Sequence, residues 1–234
     1  MGTREDILTA IRDHGPAPRE MPHIPDFSHG PGDLAGLFTD ALTRLDGQTV
    51  SQPPADLQDW LSATFPDARK VCSTVPEVTG TITPDQFSDW AAPADVDLTV
   101  VRTPLGVAET GSILLTESEL AVTTAAVLAQ HLVVLLDPAD LVENIHLAYR
   151  HPSFADSAYA VLLSGPSGSA DIGGVTVHPA QGVTTMTIIL WPRAEGALCN
   201  TESRVQAFRA WPPRMRSSPP TSAPHASGPP ATCG

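Results

Sequence analysis

Six consecutive residues, His131-Leu-Val-Val-Leu-Leu, form an almost unbroken apolar run, and this run constrains the fold more than any other stretch of the chain. A half-exposed strand would alternate polar and apolar side chains, so a run without alternation reads as a central strand covered on both faces. Met186-Thr-Ile-Ile-Leu and Ala158-Tyr-Ala-Val-Leu-Leu have the same central-strand character. Such strands need a packed layer on each side, and parallel neighbours need crossovers that are usually helical.

Helical stripes of the right length are present. Asp33 is placed to cap a helix whose Leu34, Leu37, Phe38, Ala41, Leu42 and Leu45 fall on one face. Leu57, Trp60 and Leu61 repeat the spacing between residues 55 and 65, and Pro138 is placed to start a helix reaching Tyr149. Shorter β runs are expected at 48–51, 70–73, 98–102 and 112–116, with Thr103-Pro-Leu-Gly as a tight loop joining the last two. Strands alternating with helices predict an α/β domain with a largely parallel central sheet.

The flanks differ from this pattern. Thr3 caps a predicted helix over residues 3–12, and prolines at 16, 18, 22, 25 and 31 then stop both helix and ladder. Residues 211–234 hold seven prolines among Ser, Thr, Ala and Gly without periodicity, so a disordered tail is expected, either a low-complexity extension or a stretch read from a shifted frame. The expected organisation is a helix and Pro-rich connector over 1–32, an α/β domain over 33–192, and a tail over 193–234.

Charge and cysteine usage exclude several classes of function. With 26 acidic against 13 basic residues and a net charge of −13, the chain has no footprint for nucleic acid or an anionic membrane. The stretch Ala125 to Leu136 contains Gln130 and His131 and falls short of the roughly 20 apolar residues of a spanning helix. The N-terminal residues do not read as a secretory signal, and Cys72, Cys199 and Cys233 fit no metal, redox or cluster spacing. A cytoplasmic protein with no cofactor or metal of its own is expected. Glu143 and His146 have the i, i+3 spacing of di-iron sites but only one copy is present, and a solvated helix face explains them. No G-x-G-x-x-G or G-x-S-x-G pattern occurs.

Two segments carry the specific information: Ala108-Glu-Thr-Gly-Ser-Ile-Leu-Leu and Leu163-Ser-Gly-Pro-Ser-Gly-Ser-Ala-Asp-Ile. In the second, glycines follow an apolar strand, so backbone N–H groups and the Ser167 and Ser169 hydroxyls are able to turn toward an anion, with Gly165 and Gly168 giving the bend. The alternative is a strand-exit turn in which one serine caps a helix.

In order and spacing these segments resemble the LUD domain of the LutC/YkgG family of lactate-utilisation proteins. The resemblance covers roughly residues 96–190, and it departs where the family's His-Gly-Pro stretch is replaced by Pro179-Ala-Gln-Gly-Val. It implies a NagB/RpiA/CoA-transferase-like layered fold. It also implies a role as an accessory or ligand-binding component alongside iron–sulfur partner proteins that oxidise L-lactate to pyruvate, the clusters lying in those partners. Thr110, Gly111, Ser112, Gly165, Ser167, Gly168, Ser169 and Asp171 then become candidates for binding a small anionic ligand. Glu109 becomes a candidate base, ligand or, by analogy with CoA transferases, a nucleophile acting on an acyl-CoA or phosphorylated small acid. Against that stand a glutamate that merely ties two loops together and a non-catalytic scaffold.

Overall fold

A computed structural model describes residues 3–15, 20, 22, 25, 27, 32–120, 122–166, 168, 170–172, 175–177 and 182–193. The chain divides into two compact units, Met1–Gly32 and Asp33–Gly234. In the first, helix α1 (Arg4–Asp13) is closed by a reciprocal capping box. The Thr3 hydroxyl accepts from the Asp6 N–H at 3.3 Å, and the Asp6 carboxylate accepts from the Thr3 N–H at 2.7 Å.

The second unit begins with α2 (Leu34–Thr43), capped by Asp33, whose carboxylate accepts from the Gly36 N–H at 2.9 Å. There follow β1 (Gln48–Val50), α3 (Leu57–Thr64), β2 (Val71–Ser73), β3 (Leu98–Arg102), β4 (Gly106–Val107) and β5 (Ser112–Thr116). Next come two single-turn helices, α4 (Glu117–Leu120) and α5 (Ala125–Leu128), then β6 (His131–Leu136) and β7 (Leu141–Val142). The unit closes with α6 (Ile145–Tyr149), α7 (Pro152–Ala155), β8 (Ala160–Leu163), β9 (Ala170–Ile172), β10 (Val175–Val177) and β11 (Thr185–Leu190).

The central sheet runs β1-β11-β6-β3-β2 and every pairing in it is parallel. As the apolar run predicts, β6 lies in the middle. Its period of two divides it between two cores. Leu132, Val134 and Leu136 join Met186 and Ile188 against Phe38 and Leu42 of α2, whereas Val133 and Leu135 join Val100 and Ile189 against Leu57 and Leu61 of α3. Burial on both faces is the reason that polar residues are missing from the run.

A second, four-stranded sheet runs β7-β4-β5-β8. Ile113 and Leu115 of β5 point into the α2 core, while Leu114 packs on the other side with Ala148 of α6 and with Phe154 of α7. The layers are therefore α3, the central sheet, the α2 core, the second sheet, and α6 with α7. Among the described residues no helix is long and apolar enough to cross a membrane.

Four local expectations are corrected. The Thr103 loop contains a strand of its own, β4, and it joins strands of different sheets. The helix expected over 138–149 is a 3₁₀ turn at Pro138–Asp140, then β7, then α6, because Leu141 and Val142 pair with β4 and the Asn144 side chain accepts from the Leu147 N–H at 3.1 Å to start the helix there. The strand expected at the centre from Ala158 is β8, an edge strand paired antiparallel with β5. Its residues are half-buried and divide between two cores, Val161 and Leu163 on one side and Ala160 and Leu162 on the other, which produces the same apolar run. Among the described residues no helix follows Gly165-Pro166; the chain enters the antiparallel pair β9 and β10. Residues 194–234, expected as a disordered tail, lie outside the described residues.

Candidate functional site

The ends of β4, β5 and β8 meet at one corner of the second sheet, and both sequence motifs are there. Pairing of Ile113 with Leu163 sets Ser112 opposite Ser164, one step further along each strand. The Ser112 and Ser164 hydroxyls share a hydrogen bond at 2.5 Å, and Ser112 shares another with the Thr110 hydroxyl at 2.6 Å. Three hydroxyls thus form a chain that links the Glu-Thr-Gly segment to the Ser-Gly-Pro turn. Ser112 is buried and Thr110 half-buried.

The glycines of the two motifs make this contact possible. Gly111 has φ 63° and Gly165 φ 74°, both in the left-handed region that side chains resist. Each also abuts the end of α2 or the residues just after it. A β-carbon at Gly111 would come within 2.4 Å of the Leu42 nitrogen, and one at Gly165 within 2.2 Å of the Leu45 carbonyl oxygen. Leu42, Leu45 and Ser164 are thus members of the corner that sequence reasoning missed. Leu42 and Leu45 look like ordinary residues of a helical stripe, and Ser164 has no signal beyond its place before Gly165.

Glu109 is exposed on the same corner. Its N–H donates to the Glu143 carbonyl at 3.0 Å, and its carboxylate accepts from the Ile145 N–H at 3.3 Å, at the first residue of α6. The carboxylate therefore lies at the amino-terminal turn of a helix, a favourable position for negative charge. The structure thus brings together Glu109, Thr110, Gly111, Ser112 and Gly165. Gly168 is exposed, and Asp171 lies in β9 opposite Thr176. Ser167 and Ser169 lie outside the described residues.

The carboxyl ends of the central strands, where open α/β sheets commonly bind ligands, carry paired charges. Arg102 at the end of β3 bonds Glu77, and Arg193 beyond β11 bonds Asp140. Asp137, after β6, accepts from the Arg193 N–H at 2.9 Å. Burial raises the Asp140 carboxyl above its ordinary range, against the lowering effect of Arg193. Among the described residues no group of three or more His, Cys, Asp or Glu is gathered closely enough to hold a metal ion.

Residues 88–191 match the LUD domain family profile, and that span contains both motifs and the strands from β3 to β11. Over this span the chain is similar to LUD domains. A solved structure of a DUF162 family protein from Deinococcus radiodurans has the same fold, with a TM-score of 0.52 over 67% of this chain and 94% of that one, at 15% identity. No curated protein matches the sequence. The matched span does not complete its own corner or its own sheet. Leu42 and Leu45, which back the two glycines, precede it in the chain, as do the edge strands β1 and β2.

Proposed function

We propose that this chain is an accessory, ligand-binding component of a cytoplasmic lactate-utilisation system, in which iron–sulfur partner proteins oxidise L-lactate to pyruvate. The observation that carries the reading is the hydroxyl chain from Thr110 through Ser112 to Ser164, which makes one corner of the two segments that resemble the LUD family and lie within the matched span. Hydroxyls and turned glycine backbone suit a small anion such as a carboxylate. An accessory role is favoured because the reactive groups of the corner are already engaged, the hydroxyls with one another and Glu109 with the Ile145 N–H. Electron transfer belongs to the partners in this reading, which hold the clusters.

The test has two arms. Affinity purification of the tagged chain from its own cells is expected to bring down cysteine-rich iron–sulfur proteins. Unfolding of the purified chain is expected to shift upward with lactate or pyruvate. The absence of both co-purification and a shift would overturn the reading in favour of a scaffold.

The exposure of Glu109 favours one alternative, an enzyme of CoA-transferase type with Glu109 as nucleophile. Under that alternative Glu109→Gln abolishes turnover of an acyl-CoA and barely changes the melting temperature. If the carboxylate only holds α6, the variant melts slightly lower, by no more than about 1 kcal/mol of stability.

A further inference from the structure

A cleft of about 490 Å³ opens at the amino ends of the central strands, and none of the motif residues lines it. Its volume lies within the roughly 300–1,000 Å³ typical of small-molecule sites. The parallel register builds its floor. Gln48 of β1 pairs with Thr187 of β11, Thr185 of β11 pairs with His131 of β6, and Asp97 comes one residue before Leu98, the partner of His131 in β3. All five of these polar side chains line the cleft, so three adjacent strands and the residue before a fourth present a row of hydrogen-bonding groups. The opposite wall is the end of α3 and the turn after it, from Thr64 to Ala68.

Charge decides what such a cleft accepts. Its charged lining groups are two carboxylates, Asp67 and Asp97. The Lys70 and Arg69 N–H groups, at 2.8 Å each, hold Asp97 below the usual carboxylate range although burial opposes them, so it stays ionised at neutral pH. The His131 imidazole is packed on Phe65 with ring centres 4.9 Å apart, and its Nδ1 lies 2.8 Å from the Thr185 hydroxyl. Burial lowers its pKa, against the pull of Asp97, and leaves it uncharged at neutral pH. Lys70, whose charge reaches Asp97, is paired with Asp95 at 3.2 Å. The carboxyl-terminal end of α3 adds partial negative charge to the same rim.

We infer that this cleft is a second binding site, for a small organic cation with hydrogen-bonding amine or guanidine groups. Carboxylates, hydroxyls and side-chain amides receive such donors, and Phe65 supplies an apolar wall for the hydrocarbon part. The same lining repels lactate, pyruvate and phosphorylated acids. The inference stands independently of the lactate reading, because it uses none of the motif residues.

Titration of the full-length protein with putrescine and with agmatine tests it, by calorimetry and by NMR of the His131 and Phe65 resonances. Saturable binding is expected to move those two resonances and leave Gly111 and Gly165 unmoved. Asp97→Asn keeps an oxygen for the Lys70 and Arg69 N–H groups but removes the charge, and is expected to weaken binding by about tenfold or more. Asp67→Asn, in the surface turn, carries the same expectation should the first variant fold poorly. No saturable binding of either amine, unchanged affinity in both variants, or equal competition by lactate would overturn the proposal.

Discussion

The Ser112 and Ser164 hydroxyls, 52 residues apart in sequence, share a hydrogen bond at 2.5 Å where β5 meets β8. Because Ser112 is buried and also bonded to Thr110, truncating it strands two polar partners. Ser112→Ala is expected to lower stability by about 1–2 kcal/mol in denaturant titration. The double variant with Ser164→Ala should lose less than the sum of the single losses, since both remove one shared bond. Strict additivity would mean that the hydroxyls do not interact in solution.

Gly111→Ala and Gly165→Ala should each cost more than about 2 kcal/mol, because an unfavourable φ and a backbone collision coincide at both positions. The obstacle at Gly165 is the carbonyl oxygen of Leu45, so shortening Leu45 to Ala cannot relieve it. Thermal unfolding of the single and double variants checks this, and a tolerated alanine at Gly165 would show that α2 does not back the turn.

Acid should weaken the protein partly through Asp97. Its folded pKa is lowered, chiefly by the Lys70 N–H, so its stabilising contribution is full above the unfolded value of about 3.9 and disappears as pH falls through the folded value. The stability difference between wild type and Asp97→Asn is expected to be larger at pH 7 than in strong acid. Urea titrations at both conditions measure it, and a gap that widens on acidification would reverse the sign assigned to this group.

Cys72 should be inert in the folded state. Burial pushes its thiol up to about 11, which leaves roughly one molecule in a thousand as thiolate at pH 8. Alkylation followed by mass spectrometry of the Cys72 peptide should show negligible labelling in buffer and rapid labelling in urea. Labelling at the same rate in both conditions would place this side chain outside the core.

What was legible in the residue order was whatever depends on near neighbours. Asp33 and Thr3 announce their helices because a cap bonds to the residue three positions later, and the 131–136 and 186–190 runs announce central strands because burial on both faces removes alternation. The same rule misplaced β8, because an edge strand shared between two cores writes the same apolar pattern as a central one. It also missed β7, whose two residues become a strand only through pairing with β4.

The two motifs could be read in the sequence as segments, but not as a corner. That Ser112 opposes Ser164, that Leu42 and Leu45 require glycines at 111 and 165, and that Glu109 meets the first turn of α6 are contacts between residues distant in the chain. The cleft around Asp97 and His131 was invisible for the same reason: its lining residues come from three strands, the approach to a fourth and one helix end, scattered between Gln48 and Thr187, and share no spacing that a linear reading can detect. Local propensity and burial pattern act over a few residues and leave their mark in the order of amino acids. Adjacency across a sheet is set by how the whole chain packs, and here that packing decided the geometry of both sites.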